Sequence, residues 1–150
     1  MELRSFLDKS AVSLDLQSDS QDGVLRELIR LLDVDERTGS ILFKCLKRRE
    51  NFGSTGIGRG IAIPHCRSLA VNRLRVAYGR KPDGIEFRAL DGQPVSSFFL
   101  IVAPPNETSN DYLPVLGRLV SLVRRPEVPT LLATLSQADE LFQLLDEPIG

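Results

Sequence analysis

The chain has a single histidine, His65, in 150 residues. Its two cysteines, Cys45 and Cys66, stand in no metal-ligand spacing. Zinc sites draw on several Cys and His ligands at set intervals, so this composition argues against one. No Asp/Glu cluster suggests another metal, and no metal or cofactor is expected. Excess charge is also missing. The net charge is −1, which speaks against general attraction to nucleic acid or to anionic membrane. No run approaches the roughly 20 apolar residues of a membrane span. The opening Met1-Glu2-Leu3-Arg4-Ser5 lacks the apolar segment of a secretory signal. A cytoplasmic, reduced, soluble protein is expected, with no membrane insertion. There is no internal repeat and no low-complexity stretch. What remains is 42% apolar, enough for the core of one domain spanning residues 1–150.

Residues 3 to 8 suggest a helical turn. Val12, Leu14 and Leu16 then alternate with polar residues, as in a half-buried strand. Ser18-Asp19-Ser20 offers helix-start chemistry before an apolar face of Val24, Leu25, Leu28, Ile29, Leu31 and Leu32, which predicts a helix over 21–33. Asp35 is placed to cap a second helix with the face Ile41, Leu42, Cys45 and Leu46, ending in Lys47-Arg48-Arg49-Glu50. Those basic residues either complement the helix dipole or reach toward the loop that follows. Ile61-Ala62-Ile63 reads as a short strand ending at Pro64-His65.

A strand is expected over 73–80, a turn at Lys81-Pro82-Asp83-Gly84, and then a short strand that Ile85 and Phe87 begin. A second turn falls at Leu90-Asp91-Gly92-Gln93-Pro94. Val95 to Val102 includes a continuous apolar run, suited to a central strand covered on both faces. Ser109, Asn110 or Asp111 is positioned to cap a helix over 111–124. A short helix over 128–135 follows. Ser136-Gln137-Ala138-Asp139 has the look of a capping box before a last helix lined by Leu141, Phe142, Leu144 and Leu145. This order predicts one α/β domain whose mixed sheet is flanked by helices on both faces.

The stretch with chemical content is Gly53-Ser54-Thr55-Gly56-Ile57-Gly58-Arg59-Gly60, four glycines and two hydroxyls in eight residues. It runs on through Ile61-Ala62-Ile63-Pro64 to His65. Glycine lets backbone N–H groups approach an anion, and Ser54 and Thr55 bring hydroxyl donors. Imidazole, with an ordinary pKa near about 6.5, is largely neutral and nucleophilic at neutral pH. A donor-rich loop leading to a lone histidine points to a phosphoryl group carried on His65. This is not a Walker loop, because Arg59-Gly60 follows Gly58 where a lysine and a hydroxyl residue are required. Nor is it a dinucleotide fingerprint: the spacing is Gly56-x-Gly58-x-Gly60, and a helix precedes the loop.

At Arg49-Glu50, Gly53-Ser54-Thr55-Gly56-Ile57-Gly58 and Gly60-Ile61-Ala62-Ile63-Pro64-His65, the sequence resembles the enzyme IIA domains of the bacterial phosphotransferase system. The branch is that of the fructose, mannitol and nitrogen-regulatory members. Weaker similarity covers Phe87, Leu90-Asp91-Gly92-Gln93-Pro94-Val95 and Asp139-Glu140-Leu141. The resemblance implies that His65 accepts a phosphoryl group from a histidine phosphocarrier protein and that Arg49 stands beside it. The group then passes to a IIB domain, or its presence is reported to a regulatory target protein. Ser54, Thr55, Gly56 and Gly58 are the expected phosphate-binding positions. With no IIB or membrane segment in the chain, a regulator is expected as readily as one component of a split sugar system.

The sequence departs from that pattern in three places. Where many members carry a second histidine, this chain has Asp111-Tyr112-Leu113. Tyr112 either substitutes through its hydroxyl or is a half-buried aromatic. Arg59 replaces a small polar residue; it either holds phosphate, meets an acidic partner, or is a solvated loop side chain. Cys66 replaces a small Gly or Ala, and its position next to His65 turns the two side chains to opposite faces of a strand.

Overall fold

The computed structural model describes residues 2–105 and 110–147. A 3-10 turn at Leu3–Phe6 leads into β1 (Leu7–Ser13). Two helices follow, α1 (Gln21–Leu31) and α2 (Glu36–Phe52). Three short strands come next: β2 (Gly56–Gly58), β3 (Ile61–Ala62) and β4 (His65–Arg67). The long strands are β5 (Arg75–Ile85) and β6 (Val95–Ala103). The chain closes with α3 (Tyr112–Arg124), α4 (Val128–Ala133) and α5 (Ala138–Leu145).

The helix starts follow from cap chemistry. The Ser20 side chain accepts from the Gly23 N–H at 3.0 Å, and Asp35 accepts from the Thr38 N–H at 2.7 Å, each satisfying a donor that a helix end leaves open. At α5 the box is formed by Gln137 and Glu140 rather than from Ser136, which instead donates to Glu140.

The six strands form one mixed sheet in the order β1-β5-β6-β3-β2, with β4 also paired to β6. β5 and β6 are antiparallel, and β1/β5, β3/β6 and β4/β6 are parallel. Residues 98–103 of β6 are fully buried, as a strand covered on both faces requires. Val76 and Phe99 on one face are grouped with Leu119 of α3 and Leu145 of α5. On the other face, a Cβ at Gly79 would collide with Leu28 of α1 at 2.8 Å. Helices therefore flank both faces of the sheet, as the alternation of elements predicts.

Several boundaries differ from the sequence reading; α1 ends at Leu31 and α4 at Ala133, each two residues early, and β5 begins at Arg75. The first strand is Leu7–Ser13, directly after the 3-10 turn, and not the stretch centred on Leu14. The alternation runs on past it because Leu16, beyond the strand, still bonds to Arg80 O through its N–H at 2.8 Å. α2 continues past Glu50 to Phe52. β5 is not broken at Lys81-Pro82-Asp83-Gly84: Arg80 pairs with Ser97 and Ile85 with Val95, so these turn-forming residues make an irregularity within one strand. The separate short strand expected at Ile85 and Phe87 does not form, Ile85 being the end of β5 and Phe87 lying outside it. The strand expected to end at Pro64-His65 stops at Ala62 and resumes at His65 along the same edge of β6. Pro64 lies in the gap, and its carbonyl accepts from the Ile101 N–H at 3.0 Å. Proline has no N–H for a ladder, so the break falls where it costs little. Of the candidate caps for α3, Ser109 lies outside the described residues.

Candidate functional site

The glycine loop is held from beneath by α2. Glu50, on the last turns of that helix, is buried, and its carboxylate accepts from the Thr55 N–H at 3.0 Å and from the Thr55 hydroxyl. Arg49, its neighbour, donates from Nη1 to the Gly53 carbonyl at 2.8 Å. The Ser54 hydroxyl donates to Phe87 O at 2.8 Å and accepts from the Gly56 N–H at 2.9 Å. Gly56 packs so closely that a Cβ there would lie 2.9 Å from the Ala89 backbone. The Ser54 and Thr55 hydroxyl protons thus have acceptors inside the protein, and both residues fasten the loop.

The turn between β2 and β3 needs left-handed backbone at Gly58 (φ 99°), Arg59 (φ 59°) and Gly60 (φ 81°). Arg59 bears a cost there that glycine does not. Its contacts offset that cost. Its N–H bonds to Asp91 at 3.0 Å, and its guanidinium donates to Arg124 O, Arg125 O and Pro126 O at 2.9 to 3.1 Å. Arg59 therefore closes the C-terminal end of α3, where a cation and open carbonyls suit each other. It is not a loosely solvated side chain.

His65 opens β4. Its Nδ1 lies 2.7 Å from the Ile63 carbonyl oxygen. A carbonyl only accepts, so Nδ1 carries the ring proton and Nε2 holds the lone pair. No hydrogen bond joins Nε2 to another described residue. Burial pushes the imidazole pKa below its ordinary 6.5. The Ile63 bond acts against that, the Arg49 cation lowers it further, and Glu50 raises it. The ring at neutral pH is a neutral nucleophile with a defined tautomer, close to a half-buried guanidinium. Beyond its bond to Gly53, Arg49 makes no hydrogen bond to a described residue, so most of its five donors are open to an anion.

Tyr112, first residue of α3, faces the ring: the centroids are 6.3 Å apart, tilted by 56°. Burial pushes its phenol up to about 12. Its hydroxyl makes no hydrogen bond to His65 or to any other described residue. The Arg67 guanidinium sits 4.3 Å from the centroid of the Tyr112 ring. His65 and Arg67 lie in register with Ile101 and Ala103, while Cys66, in register with Val102, faces the opposite way.

The structure thus gathers His65, Arg49, Glu50 and Tyr112 around the loop. Two contributors carry no chemical signal in the sequence, the Ile63 carbonyl and Arg67; a third, Glu50, lies in the matching motif but without a sign that it anchors the loop. Among the described residues no group of three or more His, Cys, Asp or Glu side chains could hold a metal, and no described helix is long and apolar enough to cross a membrane.

Comparison with known proteins gives the same pattern. Residues 5–147 match the family described as "Phosphoenolpyruvate-dependent sugar phosphotransferase system, EIIA 2". The fructose-specific EIIABC component of the phosphotransferase system of Bacillus subtilis is 31% identical over 149 residues. That alignment takes in 98% of this chain, which spans 23% of the length of that relative. A nitrogen regulatory protein of Bradyrhizobium diazoefficiens is 28% identical over 149 residues, covering 99% of this chain and 97% of the relative. The crystal structure of nitrogen regulatory protein IIA-Ntr from Neisseria meningitidis superposes with a TM-score of 0.85 at 33% identity, covering 94% of this chain and 97% of that one.

Proposed function

The chain belongs to the phosphoenolpyruvate-dependent sugar phosphotransferase system EIIA 2 family, and from that premise we propose that residues 1–150 act as one cytoplasmic phosphocarrier domain with His65 as acceptor. The observation that carries the reading is the Nδ1–Ile63 bond, which leaves Nε2 as the attacking atom. Its lone pair forms the new N–P bond while the N–P bond of a histidine phosphocarrier protein breaks, and that electron pair returns to the donor's ring. Arg49 offers its planar fork to two of the phosphoryl oxygens as charge shifts. Gly56 and Gly58 let the loop backbone come close to the group, and Ser54 and Thr55 act by holding that backbone in place. Nδ1 keeps its proton and goes on donating it to the Ile63 carbonyl, so the phosphorylated ring carries positive charge.

The next acceptor is a IIB domain or a regulatory target. One observation favours the regulatory role. Tyr112 stands against the acceptor ring as a phenol that keeps its proton well above neutrality, so it brings no positive charge to the phosphoryl group during onward transfer, as a protonated imidazole in its place would. Slow onward transfer suits a phosphorylation state that is read by contact. Incubation with phosphoenolpyruvate, enzyme I and the phosphocarrier protein tests the acceptor. Intact mass should rise by one phosphoryl group, acid-labile and alkali-stable, and His65→Ala should stay unmodified while folded. Labelling of His65→Ala equal to the wild type would overturn the assignment.

A further inference from the structure

Cys45 and Cys66 are both free thiols on elements that pack directly against each other, α2 and β4. Cys66 faces the α2 side of the sheet, being in register with Val102, which pairs with Arg75 on the face that carries Gly79. The Cys45 thiol reaches β4 itself, donating to the Arg67 carbonyl at 3.3 Å, one residue from Cys66. Cys45 stands one helical turn before Arg49, and Cys66 directly follows His65.

We propose that this pair is a reversible oxidation site, in which a Cys45–Cys66 disulfide ties the helix bearing Arg49 to the strand bearing His65 and slows phosphoryl acceptance. Cys45 is half-buried and Cys66 is only 5% exposed. Burial pushes the Cys66 thiol well above its ordinary range, and the neighbouring Cys45 sulfur adds to that. Reaction with outside oxidants therefore starts at Cys45. Its thiolate attacks a low-molecular-weight disulfide and releases one thiol, leaving a mixed disulfide. Cys66 then gives up its proton, attacks the Cys45 sulfur and expels the second thiol. Two protein thiols are oxidised to one disulfide, and the small disulfide is reduced to two thiols. Reductant reverses the sequence.

Closing the bond brings the sulfurs to about 2.05 Å, inside any non-bonded contact, and ties α2 to β4 at that point. The Cys45–Arg67 hydrogen bond is lost, and Arg49 moves relative to the His65 ring. A shift of about 1 Å in a positioned group can cost on the order of 100-fold in rate. The effect on phosphorylation rests on the acceptor role proposed for His65; the cross-link does not.

The whole protein is treated with glutathione disulfide and then examined by intact mass, peptide mapping and nitrogen-15 NMR of the His65 ring. The expected product has lost two hydrogens, maps as a Cys45–Cys66 cross-link, and reverts with dithiothreitol. Cys66→Ala should instead hold a stable glutathione adduct on Cys45. Separate stable adducts on both cysteines of the wild type, or no reaction in the folded protein, would overturn the site. Oxidation should also displace the His65 titration curve, and identical curves would remove the coupling. Phosphorylation by the carrier protein should slow by about tenfold or more, and an unchanged rate would contradict the switch. If neither form is phosphorylated while cross-link and shifted titration are both seen, the site stands and the acceptor reading fails.

Discussion

The Nδ1 of His65 lies 2.7 Å from the carbonyl oxygen of Ile63, two residues before it in the chain. That one contact decides which ring nitrogen is nucleophilic, and it comes from the backbone where Pro64 breaks the strand edge.

The acceptor should stay active in mild acid. Its pKa is lowered from 6.5, first by burial and further by Arg49, so the neutral ring persists below that value. Plotted against pH, the phosphorylation rate should reach half-maximum below pH 6.5; a midpoint above 6.5 would contradict the burial argument. The stability consequence has the same direction. Between the two values the unfolded chain binds a proton that the folded ring refuses. Stability held above pH 6.5 is therefore lost as pH falls toward the folded value. His65→Gln should flatten that part of the urea-midpoint curve.

Arg49→Lys should slow phosphorylation by about 10- to 100-fold, since a point charge cannot reproduce a two-point fork. Its circular dichroism spectrum should match the wild type. A wild-type rate in this variant would show that Arg49 serves only its bond to the Gly53 carbonyl.

Thr55→Val should destabilise the fold by about 1–3 kcal/mol, because one oxygen of the buried Glu50 carboxylate loses its donor. Urea denaturation reads this directly. A loss below a few tenths of a kcal/mol would mean that the Glu50–Thr55 contact does not hold the loop.

Much of this architecture was legible from local chemistry. Ser20 and Asp35 were readable as caps because their bonds span three residues, and the apolar run of β6 announced its own burial. The continuation of β5 was hidden, since Pro82, Asp83 and Gly84 carry turn chemistry whether they end a strand or bulge within one. His65, the loop and Arg49 could be picked out by residue type. Which ring nitrogen is free could not, because a backbone carbonyl has no sequence signature. The role of Arg59 depends on carbonyls 65 to 67 positions away, beyond the range of any local pattern. Thr55 was readable as a donor but not as one whose proton goes to Glu50.

Tyr112→Phe should leave both acceptance and onward transfer unchanged, because the hydroxyl makes no hydrogen bond among the described residues. Tyr112→His should speed transfer from the purified phosphoprotein to a IIB domain in single-turnover measurements, by supplying a group that titrates near neutrality. Fast transfer by the wild type, unchanged in Tyr112→His, would return the protein to the ordinary carrier class.

The central claim is that His65 accepts the phosphoryl group through Nε2. With one histidine in the chain, nitrogen-15 labelling of histidine gives two ring resonances that can be followed without overlap. After phosphorylation by the carrier protein, coupling to phosphorus-31 should appear on Nε2, with Nδ1 still protonated. Phosphorus coupled to Nδ1, or a phosphorylated protein with an unmodified His65 ring, would contradict the account.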